Sequence, residues 1–90
     1  MEDNVQVGYG IEVQYDDNTT GIENRIYFKK ESAIGRLRIL MDYYNSHYKT
    51  DKTSYCLNEE KGVLYIITHD YAGVPVIEPK SWLKIFEVES

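Results

Sequence analysis

Two histidines, a single cysteine and the carboxylate pairs Asp16-Asp17 and Glu59-Glu60 are the first places in this 90-residue chain to look for catalytic or metal chemistry. His47 and His69 fall on different elements, and neither has the histidine partner three or four positions away that a helical metal site requires. His69-Asp70 reads as a polar dipeptide that closes a strand before a turn. Cys56 would need a neighbouring base and an electropositive setting to act as a nucleophile, but Glu59 and Glu60 are close in sequence and work against a thiolate, so it reads as a small core residue. Acid–base catalysis by paired carboxyls needs one desolvated and one solvated group, a difference that exposed turn tips do not provide. Gly8-Tyr9-Gly10 fails the G-x-G-x-x-G pattern and lies inside a strand. The residues therefore predict a protein without enzymatic activity, metal or cofactor, one that works by binding.

Positioning these residues falls to a few short elements. Val5, Val7, Tyr9, Ile11, Val13 and Tyr15 alternate with Gln6, Gly8, Gly10, Glu12 and Gln14, the pattern of a strand with one wet face. The polar cluster from Asp16 to Gly21 predicts a turn, with Gly21 free to take positive φ. Ile22, Asn24, Ile26 and Phe28 then alternate against Glu23, Arg25, Tyr27 and Lys29, completing an antiparallel hairpin with Arg25, Tyr27 and Lys29 on its wet face. The period next changes to 3.6, because Ala33, Ile34, Leu37, Leu40, Met41, Tyr44 and Tyr48 share an arc of roughly 120°. An amphipathic helix over about 31–48 follows, with Glu31 suited to its positive end. Gly35 inside it implies close packing or spare stability.

Residues 53–57 and 63–68 form a second hairpin around Asn58-Glu59-Glu60-Lys61-Gly62, with the latter strand central. Pro75 and Pro79 mark 74–77 as an edge or connector, and the aromatic and β-branched content of 82–88 favours a strand over a helix. The order ββαβββ predicts a single α+β domain over 1–90, an antiparallel sheet with one amphipathic helix on one face.

The net charge of −5 is unevenly distributed. Residues 1–24 sum to −6, residues 25–52 to +4 and residues 53–90 to −3. An acidic chain is repelled by a phosphate backbone, so a protein partner with a basic surface is favoured over nucleic acid. One cysteine, no run of about 20 apolar residues and no signal-like start predict a cytoplasmic protein outside the membrane.

Nine tyrosines enrich the chain in interface-prone side chains. Tyr9, Tyr15, Tyr44 and Tyr48 fall on core faces, whereas Tyr27 and Tyr43 do not. Gly35, Ile39 and Tyr43 run along the helix opposite its core arc, an apolar stripe that needs cover from a self-dimer, a target protein or the chain's own 71–80 segment. Gly8 and Gly10 leave a bare strip of backbone that one of the chain's own aromatics, such as Trp82, would cover.

Three functions are compatible with this inventory. The first is a stoichiometric inhibitor of a basic nucleic-acid-processing or toxin enzyme, in character like anti-restriction, anti-CRISPR or immunity proteins, binding through Asp16, Asp17, Glu23, Glu59, Glu60 and Tyr43. The second is a homo-oligomeric small-ligand sponge or regulator closed through Gly35, Ile39 and Tyr43. The third is an accessory nucleic-acid binder using Arg25, Tyr27 and Lys29.

Overall fold

The computed structural model describes residues 5–89. Its elements are β1 (Val5–Gln14), β2 (Thr20–Ile22), α1 (Lys30–His47), β3 (Thr53–Asn58), β4 (Val63–His69) and β5 (Pro75–Glu89), the expected ββαβββ order. The five strands form one antiparallel sheet in the order β2-β1-β5-β4-β3, with the helix on one face. Among the described residues no helix is long and apolar enough to cross a membrane.

The centre of the sheet is built on the helix side. Ile11 and Val13 of β1 and Leu64 of β4 are buried against Ala33, Ile34, Leu37 and Leu40 of α1, the arc that the 3.6 period marks out. Tyr9, Tyr27, Tyr44, Tyr55, Leu57 and Leu83 pack around this cluster. Ser81, opposite Val13, is the buried polar residue of the core.

β5 is a single 15-residue strand, and its stagger sets the shape of the molecule. Residues 75–79 pair with β4 alone, residues 83–89 pair with β1 alone, and only Ser81 and Trp82 have partners on both sides. The register with β4 shifts between Leu64 and Tyr65, where Lys80 is the extra residue on β5. The result is elongated, 60 × 23 × 20 Å. Residues 74–77 are thus no connector. They are edge-like on the β1 side because β1 stops short of them, and a proline is tolerated at such a place.

Several sequence expectations are corrected by the register. The strand expected over 22–28 pairs only through Ile22 and again at one isolated bridge, Tyr9–Tyr27. Between them the Arg25 amide donates to the Glu23 carbonyl at 2.7 Å, a tight turn that pulls the chain out of the ladder. Tyr27 consequently packs against the core, while Ile22, Ile26 and Phe28 are exposed, the reverse of the expected faces. The left-handed residue of the first turn is Asn18, at φ 67°, and not Gly21. Gly21 instead lies under the Tyr15 ring, where a Cβ would stand 2.6 Å from the hydroxyl. Tyr15 and Tyr48 are exposed rather than core. Cys56 is exposed too, because it lies opposite Tyr65 on the helix-free face of an edge strand. Gly35 has open space where its Cβ would be, so nothing packs closely there.

Candidate interaction surface

The carboxylates singled out from the sequence separate into occupied and free groups. Glu23, just past β2, accepts both Nε and Nη2 of Arg36 at 3.0 and 2.8 Å. Glu59, in the β3–β4 turn, accepts the equivalent pair of bonds from Arg38. These two forks tie the helix to opposite margins of the sheet, and they hold the Glu59 carboxyl below its ordinary range and both guanidinium groups above theirs. Asp17 accepts from the Thr19 hydroxyl at 2.6 Å and from its amide at 3.1 Å, bonds that shape the turn and lower the Asp17 pKa. Asp16 and Glu60 accept no hydrogen bond among the described residues.

Topology keeps the acidic turns apart. β1 and β4 both run antiparallel to β5 and therefore parallel to each other. The 15–19 turn follows the end of β1, whereas the 59–62 turn precedes the start of β4, so the two point in opposite directions from opposite margins. Asp16 and Asp17 cannot share one flat contact with Glu59 and Glu60.

Tyr43 belongs to an aromatic cluster around the C-terminal turns of α1, and Asp16 is near enough for its charge to act on two members of it, Tyr48 and Tyr55. Tyr43 stacks on His47 with ring centroids 4.3 Å apart and meets the edges of Tyr44 and Tyr48 at 5.9 and 6.1 Å. Tyr44 stacks on Tyr55 of β3 at 5.1 Å, and the Lys80 ammonium lies 5.7 Å above the Tyr44 ring. The neighbouring Tyr43 phenol raises the Tyr48 phenol pKa, burial raises those of Tyr44 and Tyr55, and the negative charge of Asp16 adds to the rise at Tyr48 and Tyr55. Asn45 anchors the cluster to β3, donating to the Tyr55 carbonyl and accepting its amide, each at 3.0 Å. Helical spacing brings Tyr43 to His47 and Tyr44 to Tyr48, but periodicity gives no sign of the stack on Tyr55, because Tyr55 comes from another element.

The outward stripe of the helix is uncovered by the chain. Ile39 is 58% exposed and Tyr43 47%, and the 71–80 segment, one candidate cover, is instead the β4–β5 turn followed by the start of β5. Beside Ile39 an open groove of about 470 Å³ is lined by Glu23, Arg25, Tyr27, Ser32 and Arg36. Arg25 lies 5.1 Å over the Tyr27 ring, which removes that face of the tyrosine from use as a stacking platform. Among the described residues no three His, Cys, Asp or Glu side chains come together as a metal-binding group.

The helix-free face of the sheet also carries apolar side chains. Tyr65 and Ile67 of β4 stand beside Ile77 and Pro79 of β5, and a shallow groove of about 640 Å³ runs from Cys56 to Ile77. The glycine strip of β1 lies on this same face, and at Gly10 it is covered by the ring of Phe86 rather than by Trp82. Trp82 instead donates its indole N–H to Glu12 at 2.8 Å.

No family model matches the chain, and neither a curated protein nor a solved structure matches it.

Proposed function

We propose that this chain is a protein-binding module that acts by stoichiometric occupation of a partner's surface, as small inhibitors of the anti-restriction, anti-CRISPR or immunity kind do. The contact surface in this reading is the outward side of α1, Ile39 and Tyr43 continued by His47 and Tyr48, with Asp16 at its margin. The observation that carries it is the exposed Ile39–Tyr43 stripe, on a helix whose opposite side is already fully used by the core. Rigid aromatic anchors bind with little loss of side-chain freedom, and the Tyr43–His47 stack is held in place before any partner arrives. With Glu23 and Glu59 committed to arginines, the acidic contribution to a basic partner at this surface falls to Asp16, while Glu60 lies in a turn that points the other way.

The test is capture of a nuclease-resistant partner from host lysate, followed by reconstitution of the purified pair and titration calorimetry. A one-to-one complex that Ile39→Glu and Tyr43→Ala abolish, while Glu60→Lys leaves it intact, is the expected result. A complex insensitive to both helix variants removes this surface from the function.

A second reading rests on the groove beside Ile39. A homo-oligomer closed through Gly35, Ile39 and Tyr43 would place that groove, with Arg36 already paired to Glu23 inside it, next to the subunit boundary as a site for a small ligand.

A further inference from the structure

The stagger of β5 leaves two stretches of open strand edge, and they differ in one respect. Residues 75–79 lack a neighbour on the β1 side, and this half holds both prolines of the chain and ends at the Lys80 irregularity, the devices by which an edge is closed to further pairing. The stretch beyond Leu83 lacks a neighbour on the β4 side and has no proline, glycine or register shift. The Leu83 amide donates to the Gly62 carbonyl at 2.9 Å, so the backbone groups of Leu83 point toward β4. Alternation along the strand then aims the N–H and C=O of Ile85 and Glu87 to the same side, where among the described residues there is no strand, while Lys84 and Phe86 turn theirs toward β1.

We propose that residues 84–88 of β5 pair antiparallel with the same residues of a second copy of this chain, about a two-fold axis at Phe86. In this register Ile85 of each copy faces Glu87 of the other, so the hydrogen bonds use the four free groups on each copy and none already bonded within the chain. Phe86 meets its counterpart in the close, non-hydrogen-bonded pair on the helix-free face. The pairing is bounded at each end by the 58–62 turn of one copy, which occupies the position next to Leu83. A second copy, rather than an unrelated strand, is favoured because the edge is self-complementary: each N–H and C=O that Ile85 and Glu87 offer meets its complement on the same two residues of the other copy, and the Ile85 side chain, 67% exposed, gains a neighbour.

Sedimentation equilibrium from micromolar to millimolar protein, combined with amide hydrogen exchange resolved by residue, tests this. The expected result is a monomer–dimer equilibrium in which the Ile85 and Glu87 amides become protected as dimer forms, while Lys84 and Phe86 are protected throughout. Ile85→Pro should be monomeric with its circular dichroism retained, since the lost N–H serves no bond within the chain. Should that variant unfold, Phe86→Cys in a Cys56→Ser background takes its place and should cross-link to dimer on oxidation. A monomer at millimolar concentration with Ile85 and Glu87 amides exchanging freely overturns the proposal. So does a dimer in which those two amides stay unprotected, or one that Ile39→Glu dissociates.

Discussion

The ring of Phe86 lies over Gly10: a Cβ on the glycine would stand 2.7 Å from Phe86 Cε2. An aromatic on one strand thereby fills the space that a missing side chain leaves on its neighbour, and Ile22 closes the other side of the same spot. Gly10→Ala must push the ring away from the sheet. A net loss of about 1 kcal/mol is expected after allowing for the lower entropy of the unfolded alanine chain, measured by urea unfolding. Phe86→Ala in the same background should remove most of that penalty, because the clash and its cause disappear together.

The Arg36–Glu23 fork is partly shielded and bidentate, so it should stabilise the helix against the β2 margin. A double-mutant cycle with Arg36→Ala and Glu23→Ala is expected to give a coupling energy of about 0.5–1 kcal/mol. The coupling should shrink in high salt.

Stability should fall at both extremes of pH. Glu59 and Asp17 have native pKa values below their ordinary 4.5 and 3.8, so the unfolded chain takes up protons first as pH drops. Their contribution is complete above those values and is lost on acidification through the lowered native ones. Tyr44, Tyr48 and Tyr55 have values above 10.0, so the unfolded chain loses protons first as pH rises past 10. Thermal melts should show Tm declining in both windows, with Arg38→Gln flattening the acid limb only.

The Ser81 hydroxyl is fully buried beside the Tyr44 phenol without the geometry of a hydrogen bond, and among the described residues it has no other partner. Ser81→Ala removes an unpaired polar group from the core and keeps the small volume. Unfolding free energy should rise by about 1 kcal/mol, and a fall of that size would show that the hydroxyl is paired in solution.

Cys56 lies on the helix-free face of an edge strand. A thiol reagent should modify it in the native protein at the rate seen in urea to within about tenfold, without unfolding, because no opening of the core is required. Protection in the native state would mean that another chain covers this face.

Much of the fold was legible in the residues. The alternation in β1, the 3.6 period of α1 and the Gly62 turn each depend on local patterns, and each element forms where those patterns lie. The candidate site was less legible. Tyr43 and Ile39 are outward as the helical period requires, but Glu23 and Glu59 look like free acids in the sequence because the arginines that hold them are 13 and 21 residues away. Alternation puts Tyr27 on the wet face and the structure puts it against the core, because one tight turn at Glu23 breaks the period of two, and periodicity carries no information across such a break.

The sequence by itself determined which elements form and which helix face is apolar, since propensity and period are properties of neighbouring residues. Only the tertiary structure decided that β5 is one strand shared by two half-sheets, that the two acidic turns point in opposite directions, and that Cys56 faces solvent. Those outcomes follow from strand order and register. Both are fixed by pairings between distant segments, where a shift of one residue exchanges the buried face for the exposed one.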